Sequence, residues 1–324
     1  MPELIDVMPG SPEWLAARRL GVTATDIVTI IGLSAWDSVY GLFWKKLGQV
    51  PDEPERDRWE LGKALEPYIT ERWANTGSNW KDYVRWPGGL YRHSGRTWQM
   101  ATPDRILGPF NDLSPEISPP VGTLELKSWA DADRKRWEDG PPAVVRAQVL
   151  WQMDVMDAAA GHVGVVFLPS GEFRSYTIAH EDEKTHDELG WPGCPVCVDQ
   201  HLMRDAGEEF MARLRLELPP PDPDSSAATL AAVRARFTRQ PDKQAEVDDT
   251  LWALFDQACD KISYWTEEKR GHESQLREQA GEAQVLCIDG EPVARRIVSD
   301  AKVKAHTRHM DYLRRITPKE DDDE

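Results

Sequence analysis

Two short stretches constrain the fold more than any others in the chain. "ATPDR" (101–105) and "GTLELKSW" (122–129) are built from the small and apolar residues of inner strands, yet they carry Asp104, Glu125 and Lys127. Side chains two apart in a strand share a face, and the one between them points the other way. Glu125 and Lys127 therefore project together while Leu126 packs into a core. Asp104, at the end of the preceding strand, lies beside them if the two strands pair. Two carboxylates converging without a cation repel, which raises one pKa and costs stability. A hard divalent ion removes that conflict, and Mg²⁺ is content with two carboxylates plus waters. The backbone carbonyl of Leu126 is a plausible further ligand, and Lys127 is placed to hold or deprotonate a water and to offset charge on a phosphate. Taken alone, Glu-x-Lys is a common ion pair at a sheet edge. With Pro-Asp on an adjacent strand, a metal site is the better reading.

The surrounding text alternates helical and strand patterns. "SPEWLAARRLG" opens with Ser11 as N-cap and Pro12 at the first helical position. "TATDIVTIIG" has a second cap-like start, with Asp26 ahead of apolar residues and Gly32 at the end. In "DRWELGKALEPYITERWANTG", Leu61, Leu65, Ile69 and Trp73 fall at intervals of four on one helix face. Pro67 interrupts that helix and predicts a kink or restart beside Glu66. "RTWQMATPD" and "VGTLELKSW" read as strands separated by a loop rich in Pro, Asn and Asp. "AVVRAQVLWQMDVMDA" reads as a helix, and "HVGVVFLP" and "FRSYTIAH" as a hairpin around "SGE". The order predicts an α/β core with a central mixed sheet flanked by helices. Trp14, Trp59, Trp73 and Trp151 are expected in the core rather than as base-stacking platforms.

Length and charge bound the rest. At 324 residues the chain allows one large domain with an appendage, or two domains. Hydrophobic content of 40% and charged content of 29% fit a soluble globular protein, and no apolar run approaches membrane-spanning length. No secretory signal is read at "MPELIDVMPGSPEW", and four cysteines do not make a disulfide framework, so a cytoplasmic location is expected. The net charge of -17 argues against simple nucleic-acid binding. The terminal "KEDDDE" accounts for part of it, and basic clusters such as "RKR" (134–136) remain. "LPPPDPDSS" (218–226) is the best linker, which predicts domains over 1–217 and 227–318 with an acidic disordered tail over 319–324. Beyond the linker, Val247, Leu251, Leu254, Ala258, Ile262 and Trp265 keep the spacing of a packed or coiled helix. "QVLCIDGEPVARRIV" then carries an Asp-Gly hairpin signal. This mainly helical region reads as an interaction or oligomerisation module.

"TPD" followed by "ELK" and a helix containing Gln148 resembles the PD-(D/E)XK nuclease superfamily. The series "GSPEWLAARRLGVTATDI", "LGKALEP", "ATPDR", "LELK" and "AQVLWQM" is similar to the YqaJ-type viral recombinases, over roughly residues 10–182. The resemblance implies a restriction-endonuclease-like core and a Mg²⁺-dependent double-strand DNA exonuclease of a phage recombination system, with two ions that Mn²⁺ can replace. It implies metal binding by Glu66, Asp104 and Glu125, an active-site role for Lys127, and Gln148 at the reacting end of the DNA. Thr25 and Thr102, with Arg18 or Arg19, match a pocket for a terminal 5′-phosphate. Gly62, one turn before Glu66, leaves room for a ligand. The resemblance further implies 5′ to 3′ digestion, a ring-shaped trimer and a single-strand annealing partner. Two alternatives stay open: an endonuclease of the same fold, and a non-catalytic DNA-end-binding or scaffolding protein.

"WPGCPVC" raises a second metal question. Cys194 and Cys197, with His201 downstream and His186 upstream, offer the donors of a tetrahedral zinc site if both histidines or another chain contribute. Some relatives in the superfamily hold iron–sulfur clusters on four cysteines, but here Cys259 and Cys287 lie beyond the linker. Packed thiols without a metal are the first reading.

Overall fold

The computed structural model describes residues 2–52, 57–77, 84–87, 89–108, 121–180, 194–237, 240 and 243–297. The chain divides into two compact units, Met1–Thr238 and Arg239–Glu324.

A five-stranded mixed sheet organises the first unit, in the order β2 (Val84–Pro87), β5 (Arg105–Leu107), β6 (Gly122–Ala130), β7 (Ala160–Leu168) and β8 (Phe173–Ala179). Strands β6 and β7 are parallel along their whole length, from Gly122↔Ala160 to Ala130↔Leu168, and the other pairs are antiparallel. A 3-10 turn (Asp131–Trp137) and helix α5 (Ala143–Met156) make the crossover between them. The mixed sheet with flanking helices agrees with the sequence expectation. One strand differs. "RTWQMATPD" yields β4 (Met100–Ala101), which joins β1 (Glu3–Ile5) and β3 (Leu90–Arg92) in a separate three-stranded sheet. The chain then breaks at Thr102–Asp104 and enters the main sheet as β5.

The alternation along β6 and β7 sorts the core onto two faces. Leu124 and Leu126 pack with Leu107 and Val166 beneath Ile69 and Trp73 of helix α4 (Asp57–Ala74). On the other face, Val163, Val165 and Phe167 meet Val149, Leu150 and Met153 of α5 in a larger cluster. Two glycines of β7 let the helices approach. A Cβ at Gly161 would stand 2.2 Å from Val149 Cγ1, and one at Gly164 would stand 3.0 Å from Ile69 Cγ2. Helix α4 runs through Pro67 without the expected restart. Its burial is confined to the C-terminal half: Ile69 and Trp73 are buried, Leu65 is half-buried, and Leu61 and Trp59 are exposed. Trp59 is therefore no core residue and Trp14 only half-buried, whereas Trp73 and Trp151 are fully enclosed.

Helices α1 (Pro12–Arg19) and α2 (Ala24–Ile30) start where their caps dictate. Ser11 accepts from Trp14 N, and Thr23 with Asp26 forms a capping box, so Thr23 rather than Asp26 opens α2. Helix α3 (Val39–Lys46) packs on α7 (Ala227–Arg236), where Thr229 Oγ1 donates to Ser38 Oγ at 2.7 Å and Arg236 lies over the Trp44 ring. Those contacts correct the expected domain boundary. The stretch 218–226 lies inside the first unit, because α7 completes its core. Helix α6 (Pro195–Arg215) fits against α5 through Gly207, whose hydrogen faces the Trp98 and Trp151 rings.

The second unit contains helix α8 (Asp249–Ala280) and a hairpin of β9 (Val285–Ile288) and β10 (Glu291–Arg295). Asp289 and Gly290 both have positive φ, as a two-residue turn requires. The stripe of Leu251, Leu254, Ile262 and Trp265 is exposed. The expected tail lies outside the described residues, as do His186 and most of the loop between β5 and β6. No helix among the described residues is long and apolar enough to cross a membrane.

His162 provides a check on the α4 face. It lies 5.3 Å from the Trp73 ring, its Nδ1 is 3.0 Å from Thr177 Oγ1, and burial lowers its pKa to about 4. A depressed histidine leaves stability intact above about 6.5 and loses it as pH falls toward the folded value. The ring should titrate near 4 by NMR, and the fold should lose about 3 kcal/mol between those limits. Titration near 6.5 would show that the ring is not enclosed.

Candidate functional site

The break between the two sheets places Asp104. Because Arg105 pairs with Leu124, Asp104 stands opposite Glu125 at the point where β5 begins. Its Oδ2 accepts from Leu126 N at 2.7 Å, so a side chain takes over where the strand ladder stops. Glu125 and Lys127 emerge on the α5 face, as the alternation requires. Lys127 Nζ is ion-paired with Glu125 Oε1, and Gln152 Nε2 of α5 donates to Glu125 Oε2 at 2.7 Å.

The electrostatics of this cluster are strained. Burial, then the adjacent Glu125, hold the Asp104 carboxyl well above the usual carboxylate range, with Glu66 adding to the effect. Lys127 and the Leu126 N–H pull the other way and do not prevail. Against its own burial, the Lys127 ammonium is held above its ordinary value by Glu125 and Asp104. One cation thus serves two carboxylates.

Glu66 reaches the same region from α4. Arg105 Nη1 donates to Glu66 Oε2 at 3.0 Å and to the Asp104 carbonyl at 2.6 Å, fixing the helix carboxylate against the strand. A Cβ on Gly62 would meet nothing within 4 Å, so the space beside Glu66 is open. Arg105 was legible as part of "ATPDR", but only the fold reveals its partner.

Gln148 is half-buried on α5, and no hydrogen bond joins its side chain to the acids among the described residues. Gln152 has that contact. It is 2% exposed and its Oε1 is buried without a partner. The sequence reading, which singled out Gln148 alone, missed it. A one-turn offset on the same face was the available signal.

The phosphate-pocket candidates are gathered only in part. The α1–α2 turn is stitched to β4, with Val22 N donating to Trp98 O at 2.7 Å and Met100 N to Val22 O at 2.9 Å. Thr25 is exposed on α2, and the Thr102 hydroxyl is buried without a partner. Arg18 stacks on Trp14 at 4.3 Å and reaches Thr23 Oγ1 at 3.4 Å, whereas Arg19 is ion-paired with Asp52. Lys46, buried to 5% exposure, donates to Asp26 and to the carbonyls of Arg18 and Gly21, which locks the turn. Despite burial, Lys46 and Arg18 hold the Asp26 carboxyl below its usual range.

His201, the ligand a zinc reading would have used, does not join the cysteines. It points along α6 to Asp205, 3.4 Å away, and His180 stands beside Cys194 and Cys197 instead.

The mixed sheet between helices, with Pro-Asp leading one strand and Glu-x-Lys on the next, matches the core expected from the sequence. Residues 13–160 match the model of the YqaJ-like viral recombinase domain. The uncharacterized protein YqaJ of Bacillus subtilis (strain 168) is 29% identical over 129 residues, 39% of this chain. The chain spans only 36% of that relative's length. Among solved structures, an alkaline exonuclease (LHK-Exo) from Laribacter hongkongensis is 18% identical with a TM-score of 0.42, covering 64% of this chain and 97% of that one. Its complex with dAMP gives 20% and 0.46 over 64% and 94%. A phage-related exonuclease from Haemophilus somnus 129PT gives 11% and 0.40 over 61% and 96%.

The strain at Asp104 has a measurable consequence. A carboxyl whose folded pKa is raised supports the fold below its ordinary pKa, and that support is lost as pH rises through the folded value. Asp104→Asn should therefore raise the thermal midpoint of the metal-free protein at pH 8. The gain should vanish in mild acid. Destabilisation at pH 8 would show that the pair is not in conflict.

Proposed function

We propose that the chain is a metal-dependent deoxyribonuclease that digests linear duplex DNA from its ends, 5′ to 3′, leaving 3′ single strands for recombination by annealing. The observation that carries this reading is the Asp104–Glu125 pair, two adjacent carboxylates with a single lysine between them. The donor set fits a hard divalent ion: Asp104, Glu125 and Glu66 offer oxygens, and Asp104 is in a state that such an ion relieves. The Leu126 carbonyl fits as well. In an extended strand a residue's N–H and C=O share a side, and the Leu126 N–H already faces Asp104. When bound, Mg²⁺ (two ions, or Mn²⁺ in their place) supplies Lewis-acid stabilisation of the attacking and leaving phosphodiester oxygens.

The chain's own residues do the rest. Lys127, held as an ammonium, orients the attacking water and offsets charge on the phosphate while the water's proton passes to solvent, and Gln152 keeps Glu125 aimed at the site. Gln148 lies one turn earlier on α5, towards the reacting end of the DNA. Arg18, Thr25 and Thr102 hold the terminal 5′-phosphate. Arg18 is preferred to Arg19, because Asp52 already engages Arg19, and the partnerless Thr102 hydroxyl is a donor in waiting. A homo-oligomeric ring with a basic inner channel reconciles the net charge of -17 with DNA as substrate, and a single-strand annealing protein takes over the product.

The test compares linear duplexes with 5′-phosphate or 5′-hydroxyl ends, and closed circles, with Mg²⁺ and with EDTA. Mg²⁺-dependent loss of linear duplex alone is expected. Cutting of closed circles would make the protein an endonuclease, and no Mg²⁺-dependent loss would make it a DNA-end-binding protein. Asp104→Ala and Glu125→Ala should each lower cleavage by about a hundredfold or more while DNA binding in EDTA persists.

End recognition has a separate signature. A charge-assisted hydrogen bond is worth roughly 1.5–3 kcal/mol, so Arg18→Ala should slow digestion of 5′-phosphorylated ends selectively, by about tenfold to a hundredfold. Arg19→Ala should not discriminate between the ends. Equal weakening on both substrates by Arg18→Ala, with a reduced salt slope, would place that arginine in the general field of the groove.

A further inference from the structure

We infer that His180, Cys194 and Cys197 form a zinc site that clips the end of β8 to the start of α6. His180 directly follows β8, Cys194 is the N-cap residue of α6, and Cys197 lies in its first turn. Two elements that are separate in the sequence therefore send three nitrogen and sulfur donors to one point. The donor atoms all lie within 4.8 Å of one another. His180 Nδ1 is 3.4 Å from Cys197 Sγ and 3.8 Å from Cys194 Sγ. A tetrahedral zinc ion with Zn–S of about 2.3 Å and Zn–N of about 2.0–2.1 Å sets such edges at roughly 3.5–3.8 Å. The two His180–Sγ distances fit such edges, and the group holds three donors among the described residues.

The chemistry of the donors selects the ion. Two thiolates and an imidazole suit zinc and do not suit Mg²⁺, which takes oxygen. Cys194 is completely buried and Cys197 half-buried, so the pair is shielded from solvent, and the N-terminus of a long helix favours thiolate charge. Zinc binding would displace the two thiol protons.

The clip has a structural purpose. Downstream of it, α6 anchors on α5: Gln200 Nε2 donates to Leu150 O at 3.1 Å, and Arg204 Nε to Asp154 Oδ2 at 2.9 Å. Fixing the first turn of α6 thus supports the helix that carries Gln152. The inference does not depend on nuclease activity.

The test is metal content and Co²⁺ substitution in the full chain. Protein purified from zinc-supplemented cells should hold zinc in a one-to-one ratio. Co²⁺ replacing it should give thiolate charge-transfer bands in the near ultraviolet and intense visible bands of a tetrahedral site. Cys197→Ser and His180→Ala should lose those bands, whereas His201→Ala and Glu125→Ala should keep them. The wild-type cobalt spectrum reports the ligands even if a variant fails to fold. Protein purified without zinc that gives no thiolate bands on addition of Co²⁺ would overturn the proposal, as would a Cys194–Cys197 disulfide that forms in the presence of zinc. Bound iron with acid-labile sulfide, or bands unchanged in Cys197→Ser, would overturn it equally.

Discussion

The bond from Leu126 N–H to Asp104 is the contact on which the site depends. Strand β5 ends its pairing with β6 at Arg105↔Leu124, and the preceding residues turn away toward the smaller sheet. An unpaired backbone N–H at the centre of a buried strand would be costly. Asp104 removes that cost with its side chain, and in doing so brings a carboxylate beside Glu125. Closing the ladder and creating the electrostatic conflict are therefore one event. Once Asp104 is fixed there, Lys127 and Gln152 have no choice but to serve Glu125, and Arg105 bridges back to Glu66.

The rest of the unit holds this junction still. Strand β7 carries a glycine on each face, so α4 and α5 press on the sheet from opposite sides at close range. Helix α5 then ties the two sheets together, because Trp151 Nε1 donates to Met100 O at 2.9 Å, while Asp154 accepts from Arg96 and Gln99 just upstream of β4. These bonds set where Thr102 and Asp104 leave β4. Packing and hydrogen bonds at its edges thus hold in place the junction that the Leu126–Asp104 bond closes.

The parts legible in the sequence were those with a short period. Alternation in "GTLELKSW" placed Glu125, Leu126 and Lys127 on their correct faces, because both faces of β6 are occupied and the pattern has no freedom. Ser11 and the Asp-Gly hairpin were legible for a similar reason, since local hydrogen bonding decides them. What could not be read depends on long-range choices. The division of "RTWQMATPDR" between two sheets is imposed by partners at both ends, and its text does not mark the break. The reach of the first unit to α7 follows from Thr229 meeting Ser38 across most of the chain, and the prolines at 219–221 carry no record of it. Gln152 was missed because both glutamines share a helix face, and only the height of the helix over β6 decides which one meets Glu125.

Helix α5 also links two sets of donors with opposite chemical preferences. On one side Gln152 contacts a cluster of oxygen donors, and on the other Leu150 O and Asp154 receive Gln200 and Arg204 from α6, whose first turn carries the cysteines. Hard and soft donors on separate elements do not compete for one ion, since carboxylates favour Mg²⁺ and thiolates favour zinc. The separation also divides their burdens. On the two proposals above, a tightly held zinc would make the helix pair rigid, while the carboxylates would exchange a weakly held hard ion. That division would require α6 to be held at its start, beside the end of β8, the last strand of the sheet among the described residues. A covalent or coordinate tie at that place supplies what burial of a single helix turn does not.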